Sequence, residues 1–168
     1  MVLLIDMQEK LFPAMADSTS LLENCLRFLK IAQELGVSIQ ATEQNPAKLG
    51  TTLEPLKPFI KNTTTKESFS AYPVLSIPKD PLFILGIETH VCVYQTAKDF
   101  LKQGFEVSLL ADCTSSRDLQ NKNLALEDLR HLGARVVSVE IVAFEWLQTY
   151  THPLISLRKL WKKEVGSI

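Results

Sequence analysis

The sequence predicts an α/β fold built on a parallel β-sheet with helices on both of its faces. Continuous apolar runs such as Val2–Ile5 and Leu82–Ile87 predict strands that are buried on both sides, as the strands of parallel sheets are. Segments with the apolar spacing of a helix alternate with these runs along the whole chain. That alternation indicates repeated strand–helix–strand units with right-handed crossovers.

The bulk properties favour one globular domain, assigned to residues 1–168. The chain is 46% hydrophobic and 22% charged, with a formal net charge of −1. No basic block precedes the tail and no apolar run nears the roughly 20 residues of a membrane span, so neither nucleic acid nor membrane is an expected partner. Three scattered cysteines fit a reducing compartment, and Asp6 interrupts the apolar start that a signal peptide would need. We therefore expect a cytoplasmic protein.

The first half of the chain predicts three strands and one long helix. The helix follows strand 2–5: residues 20–23 have the form of a capping box, and apolar residues recur at helical spacing until Gly36. The elements predicted after it are a strand at 37–41, a polar loop at 42–46, and a short strand around Phe59, Ile60 and residues 63–65.

The second half continues the alternation. The predicted elements are a strand at 82–87, a helix at 89–103, a strand at 106–111, a helix at 119–132, a strand at 135–139 and a short helix at 141–147. Apolar and basic residues then alternate, which predicts an amphipathic tail at residues 151–168. Such a tail suits packing on the domain or contact with another subunit better than contact with a membrane surface.

Cys92 is the candidate nucleophile. It follows the strand at 82–87 after a glycine-containing turn and stands at the entry of a helix. Open parallel sheets bind ligands at the carboxyl ends of their strands. A helix N-terminus lowers the pKa of a thiol, because its unpaired N–H groups and its dipole favour the thiolate. Strand, tight turn, nucleophile and helix together form the layout of a nucleophile elbow.

Asp6 and Lys66 are polar groups at the ends of two other predicted strands. If these strands are neighbours of the strand before Cys92, the three side chains converge. A carboxylate near a cysteine takes its proton and later passes it to a leaving amine. A lysine ammonium favours the thiolate and orients both groups. Taken alone, Asp6 fits a turn residue equally well, and Lys66 fits a solvated lysine.

The other two cysteines are predicted to be structural. Cys25 falls on the apolar stripe of the long helix, and Cys113 ends a strand without a helix start after it. An alternative to hydrolysis remains open, in which Cys92 acts as a thiol redox sensor. Cys113 is a weak candidate for the resolving cysteine with which it would form a disulfide.

Several blocks of this sequence resemble the signature blocks of the isochorismatase-like cysteine hydrolases. The blocks are residues 5–8, Lys66 with Ser70 and Ala71, and residues 86–93, followed by Asp112 with Ser116 and Arg117 and by residues 132–134. The resemblance extends to about Leu147. Residues 42–44 are similar to the branch that includes the isochorismatase domain-containing proteins.

The resemblance implies a Rossmann-like, three-layer fold with six parallel strands and a homo-oligomeric enzyme. It implies cleavage of an amide-type C–N bond in a small molecule through a thioester. Position by position, Cys92 is the nucleophile, Asp6 the general base and acid, and Lys66 the stabilising cation. It also implies a cis peptide bond between Ile87 and Glu88, with the backbone amides of Glu88 and Cys92 as the oxyanion hole.

Two departures from the family pattern narrow the expected reaction. Nicotinamidases of the family carry a metal site built on an Asp-x-His motif after the second strand, whereas residues 43–46 here include no histidine, so we expect no metal and no other cofactor. True isochorismatases lack the cysteine and cleave a vinyl ether, so Cys92 favours amide cleavage. His90 lies close to the nucleophile, but the family varies there, and Asp6 fills the role of the base.

A function from another class is also open. A catalytically quiet member of the family would act as an oligomeric or interaction scaffold, for which the apolar and basic tail is suited. A scaffold needs none of Asp6, Lys66 and Cys92, so their joint presence favours the hydrolase.

Overall fold

The computed structural model describes residues 1–161 and places six parallel strands in one sheet. The strands are β1 (Val2–Ile5), β2 (Ile39–Gln44), β3 (Asn62–Lys66), β4 (Leu82–Ile87), β5 (Val107–Ser115) and β6 (Arg135–Val137). The helices are α1 (Ser18–Glu34), α2 (Pro46–Leu49), α3 (Tyr94–Lys102), α4 (Leu119–His131) and α5 (Val139–Leu147). Short 3-10 turns lie at Phe12–Ala14, Glu54–Phe59, Tyr72–Val74 and Ile155–Trp161.

The strand order across the sheet is β3-β2-β1-β4-β5-β6, and every neighbouring pair is parallel. The chain winds outward from β1 to β3, returns to β4 beside β1, and then winds outward in the other direction. Ligands of such doubly wound sheets bind at the carboxyl ends of the strands, where the order reverses. The predicted α/β fold, with a parallel sheet covered on both faces, is confirmed.

Alternate residues of the central strands enter two separate core layers. Val2 and Leu4 of β1 pack in the layer that contains α1 and α5, whereas Leu3 and Ile5 pack in the layer that contains α3 and α4. All four side chains are fully buried. Burial on both faces is the reason that β1 and β4 have unbroken apolar sequences.

Gly86 permits the close approach of β4 to β1 at the point where the strand order reverses. Its φ is +125°, and a Cβ atom on it would lie 2.1 Å from the carbonyl oxygen of Ile5. Gly86 is also the register partner of Ile5. A residue with a side chain would therefore push apart the two strands that lead into Asp6 and Cys92.

Three predictions for the first half of the chain are wrong in detail. The capping box at 20–23 does not form, because α1 already begins at Ser18, after Asp17 in the left-handed region with a φ of 50°. Residues 42–44 belong to β2 rather than to a loop, since all three pair with β3 and Thr42 also pairs with β1. Phe59 ends a 3-10 turn, and β3 begins only at Asn62.

The second half also differs at its element ends. β5 continues to Ser115, because the β4–β5 register shifts between Ile84 and Gly86 and the later residues pair again. α5 begins at Val139 instead of Ile141, and the Ser138 side chain accepts a hydrogen bond from the amide of Ile141.

The tail predicted at residues 151–168 is described only in part. It forms a 3-10 turn at Ile155–Trp161, and its remaining residues, 162–168, lie outside the described residues. Within residues 1–161, the helices are too short or too polar to cross a lipid bilayer.

Candidate active site

Asp6 follows β1 directly and is completely buried at the centre of the site. Thr42 of β2 donates a hydrogen bond from its hydroxyl to Asp6 Oδ1 at 2.7 Å. Lys66 Nζ, from the end of β3, lies 2.7 Å from Asp6 Oδ2, and both side chains of this ion pair are 0% exposed. Apart from that ion pair, Oδ2 accepts no hydrogen bond from the described residues. This oxygen is therefore free to accept a proton.

Lys66 is the last residue of the edge strand β3 and reaches across β2 to Asp6. Besides Asp6 Oδ2, its Nζ contacts Gln44 Oε1 at 2.6 Å and the carbonyl oxygens of Ser68 and Phe69 at 3.1 and 3.0 Å. An ammonium group has three N–H donors, so these oxygens can engage all of them. Lys66 is thus held as a fixed positive charge beside Asp6.

Cys92 lies in a π-helical turn, Thr89–Val93, that connects β4 to α3. The sequence predicted the start of an ordinary α-helix at this point, so the turn is a correction. Cys92 is 6% exposed, and Thr89 beside it is fully buried. Single π-helical turns are frequent at functional sites, because the extra residue re-aims side chains.

The protonation state of Cys92 is opposite to the one predicted from its place near a helix N-terminus. Burial raises the pKa of the Cys92 thiol to about 12, the Asp6 carboxylate adds to the increase, and the Lys66 ammonium opposes it. The structure thus brings the three predicted residues together, and the cysteine is a protonated thiol that interacts with both Asp6 and Lys66.

The residues around Cys92 are held by the end of β5. The Ile87–Glu88 peptide bond is cis. The Glu88 carboxylate accepts a hydrogen bond from the amide of Arg117 at 3.1 Å and lies 3.5 Å from the Arg117 guanidinium. His90 Nδ1 lies 2.9 Å from the hydroxyl of Ser116. His90 is therefore held by Ser116, the residue that follows β5.

The site also includes Gln8, Thr42 and Gln44. The sequence predicts no individual role for them, although a polar loop such as the one predicted at 42–46 could line a site or be an ordinary solvated loop. The fully buried Gln8 accepts a hydrogen bond from the amide of Gln44 at 2.8 Å and donates to the carbonyls of Gln44 and Gly50 at 3.0 and 2.6 Å. Thr42 and Gln44 are two residues apart in β2, so both point to the face that Asp6 and Lys66 share. Extending the second predicted strand through Gln44 would have placed Thr42 and Gln44 on this face.

Cys113 lies inside β5 and faces away from Cys92. It is fully buried in the core layer of α1, where the thiol of Cys25 contacts the Cys113 carbonyl at 3.7 Å, whereas Cys92 belongs to the opposite layer. Burial raises the pKa of the Cys113 thiol well above its usual value. Cys113 and Cys25 are structural, as predicted, and Cys113 is not placed to form a disulfide with Cys92.

A cavity of about 850 Å³ opens beside the ion pair, between the segments that follow β2 and β3. Its lining includes Lys66 but neither Asp6 nor Cys92, and consists of Gln44, Asn45, Pro46, Ala47, Thr65, Lys66, Glu67, Ser68 and Val74. Among residues 1–161, no three His, Cys, Asp or Glu side chains cluster as a metal site would require. The cavity is large enough for a small organic molecule.

Comparisons with known proteins find similarity in both sequence and structure. Isochorismatase domain-containing protein 2 of Rattus norvegicus is 33% identical over 172 residues, covering 98% of this chain and 82% of the rat protein. The MAR1 ribonuclease structure from Caenorhabditis elegans has a TM-score of 0.88 at 26% identity, covering 99% of this chain and 91% of that one. The structure of YcaC from Escherichia coli, an octameric hydrolase of unknown specificity, has a TM-score of 0.87 at 21% identity. The match covers 95% of this chain and 85% of YcaC.

The isochorismatase domain model matches residues 1–141, which include β1 to β6 and all three residues that converge at the site. The predicted resemblance is confirmed by this match and by the rat relative. This chain belongs to the isochorismatase family, a family of hydrolases.

Proposed function

We propose that this protein is a metal-independent cysteine hydrolase that cleaves an amide-type C–N bond in a small molecule. The observation that carries the proposal is the Asp6–Lys66 ion pair, which has no solvent exposure and lies beside a protonated cysteine. A buried carboxylate with one free oxygen lone pair is suited to serve as the base that a protonated thiol needs.

The first step forms the thioester. Cys92 transfers its thiol proton to Asp6 Oδ2 while Sγ attacks the amide carbonyl carbon, so that the C–S bond forms and the carbonyl oxygen becomes an oxyanion. The backbone amides of Glu88 and Cys92 are proposed as its hydrogen-bond donors. In other enzymes the loss of one such donor raises the barrier by about 3 kcal/mol.

The remaining steps return the enzyme to its resting state. The C–N bond breaks as Asp6 gives its proton to the departing nitrogen, which leaves as an amine or as ammonia. Asp6, again a carboxylate, then removes a proton from a water molecule that attacks the thioester. The C–S bond breaks, the acid product leaves, and the proton on Asp6 returns to Cys92. Lys66 keeps its positive charge beside Asp6 throughout.

The surroundings of the site favour a small substrate without a negative charge next to the reacting carbonyl. The two cations near the turn are already engaged, Lys66 by Asp6 and Arg117 by Glu88. A carboxylate on the substrate would therefore compete with existing ion pairs. The cavity beside Lys66 provides space for the substrate's other end.

Two properties of similar proteins lead to further proposals. The octameric YcaC supports a homo-oligomer for this chain. The similarity to the ribonuclease from Caenorhabditis elegans suggests RNA as an alternative substrate. However, the net charge of −1 on this chain provides no general electrostatic attraction for a polyanion. Short single-stranded RNA therefore belongs in the assay as a competing substrate.

The test is a screen of small primary and secondary amides for release of ammonia or amine, with acyl-enzyme detected by intact mass after acid quenching. Cys92→Ala is expected to lower turnover at least about a thousandfold, while Cys113→Ala, which removes a buried thiol from the opposite layer, keeps most of it. Amide turnover that survives Cys92→Ala would contradict the mechanism. RNA cleavage without amide cleavage would contradict the proposed substrate class.

A further inference from the structure

The side chain of Gln44 contacts Lys66 at the wall of the cavity, and the proposed hydrolysis does not use it. Its Oε1 lies 2.6 Å from Lys66 Nζ, and its Nε2 donates to the carbonyl of Glu67 at 2.6 Å. We propose that Gln44 is a positioning residue that holds the Lys66 ammonium against Asp6 and Cys92, an inference that rests on the proposed function because it acts through the same three residues.

The sheet register explains why Gln44 is suited to this role. Gln44 and Lys66 are register partners at the ends of β2 and β3, so their side chains emerge side by side on one face. Lys66 must extend across β2 to reach Asp6, and a lysine side chain has many rotamers to lose in doing so. The amide oxygen of Gln44 lies along this path and restricts the position of Nζ.

Gln44 is itself fixed from the strand that carries Asp6. Gln8 forms three hydrogen bonds, two to the backbone of Gln44 and one to the carbonyl of Gly50. Because Gln8 lies two residues after Asp6, the contacts form a closed circuit from Asp6 to Lys66, to Gln44, to Gln8 and back along the chain. This closed set of contacts constrains the distance between Asp6 and Lys66, because both residues are held through Gln8 and Gln44.

The experiment measures the rate at which iodoacetamide alkylates Cys92 at about pH 8 and about pH 9, followed by peptide mass mapping. Asp6 and Lys66 are the charged groups that interact with this thiol. Gln44→Met keeps the side-chain volume and removes the acceptor. It is expected to slow alkylation about tenfold, equivalent to one unit in the thiol pKa. Gln40→Met makes the same change on the same face of β2, four residues earlier, and is expected to leave the rate unchanged.

Measuring Gln44→Met in a protein that carries Asp6→Asn and Lys66→Met separates a positioning role of Gln44 from a merely structural one. This background removes both charges and leaves neither unpaired. Gln44→Met is expected to have no further effect there, since it acts through Lys66. An equal slowing in both backgrounds, or no slowing in the native one, overturns the inference. Alkylation needs no turnover, so failure of the proposed function appears separately, as an absence of Cys92-dependent amide cleavage in the unmodified protein.

Discussion

Two ion pairs in this molecule join the same kinds of charge in opposite surroundings. Asp6 and Lys66 meet at 2.7 Å with side chains that are 0% exposed. Arg135 and Glu145 form their pair between β6 and α5, where both side chains are 46% exposed. Water screens the second pair and competes for its hydrogen bonds, whereas the first depends entirely on protein groups.

The contrast indicates whether each ion pair is better explained by stability or by a chemical role. An exposed pair contributes about 0–1 kcal/mol, and a buried pair often contributes no more than well-packed apolar residues would, because both charges lose their hydration. Stability alone therefore explains the buried pair poorly. Its place beside Cys92, with one carboxylate oxygen free to take a proton, instead supports the proposed catalytic site.

The largest expected effect is that of removing one charge from the buried pair. Lys66→Met leaves Asp6 as an uncompensated charge at a position without solvent exposure. We expect the free energy of unfolding to fall by about 3–5 kcal/mol, measured by urea denaturation at neutral pH. Arg135→Met, the matched change in the exposed pair, is expected to cost about 0–1 kcal/mol.

The double substitution Asp6→Asn/Lys66→Met sharpens this comparison. Because it leaves no unpaired charge, it should recover much of the stability that Lys66→Met loses. A Lys66→Met protein as stable as Arg135→Met would contradict the view that Asp6 remains charged and buried.

A smaller effect is expected from Thr42, which holds the other oxygen of Asp6. Thr42→Val removes the 2.7 Å hydrogen bond to Oδ1 and keeps the shape of the side chain. Hydrogen bonds to charged groups contribute about 1.5–3 kcal/mol, and urea denaturation should show a loss in that range. Thr63→Val, at an exposed position of β3, serves as the control, and equal losses in the two variants would count against a charged Asp6.

The central strands β1 and β4 could be predicted from sequence, and the end of β2 could not. β1 and β4 match their predicted ranges because their buried residues are apolar on both faces. β2 was ended too early because Thr42 and Glu43 are polar, yet both are buried in the sheet. Their side chains bind other protein groups, Thr42 to Asp6 and Glu43 to Thr52. Hydrophobic pattern is least informative where hydrogen-bonded polar groups are buried in the sheet.

The positions of Asp6, Lys66 and Cys92 followed from strand ends, but their electrostatics did not. The sequence indicates that a helix follows Cys92, which suggests a lowered thiol pKa. It does not indicate how deeply the thiol is buried or that Asp6 adds its negative charge, and these two causes raise the pKa instead. Burial and charge balance depend on strand order, which a single sequence leaves undetermined.

The smallest expected effect is a loss of stability in alkaline solution that is specific to Cys92. Its pKa is about 12 in the folded protein against an ordinary value of 9.0, so the unfolded chain loses this proton first. The contribution of the Cys92 thiol to the free energy of unfolding is complete below about pH 9. It decreases as the pH rises towards 12, because ionisation of the thiol then favours unfolding. Between about pH 8.5 and 10.5 wild type should lose about 1–2 kcal/mol more than Cys92→Ser, which does not ionise there. Parallel curves for the two proteins in urea denaturation would mean that Cys92 titrates as a free thiol, and that the charge on Asp6 does not reach it.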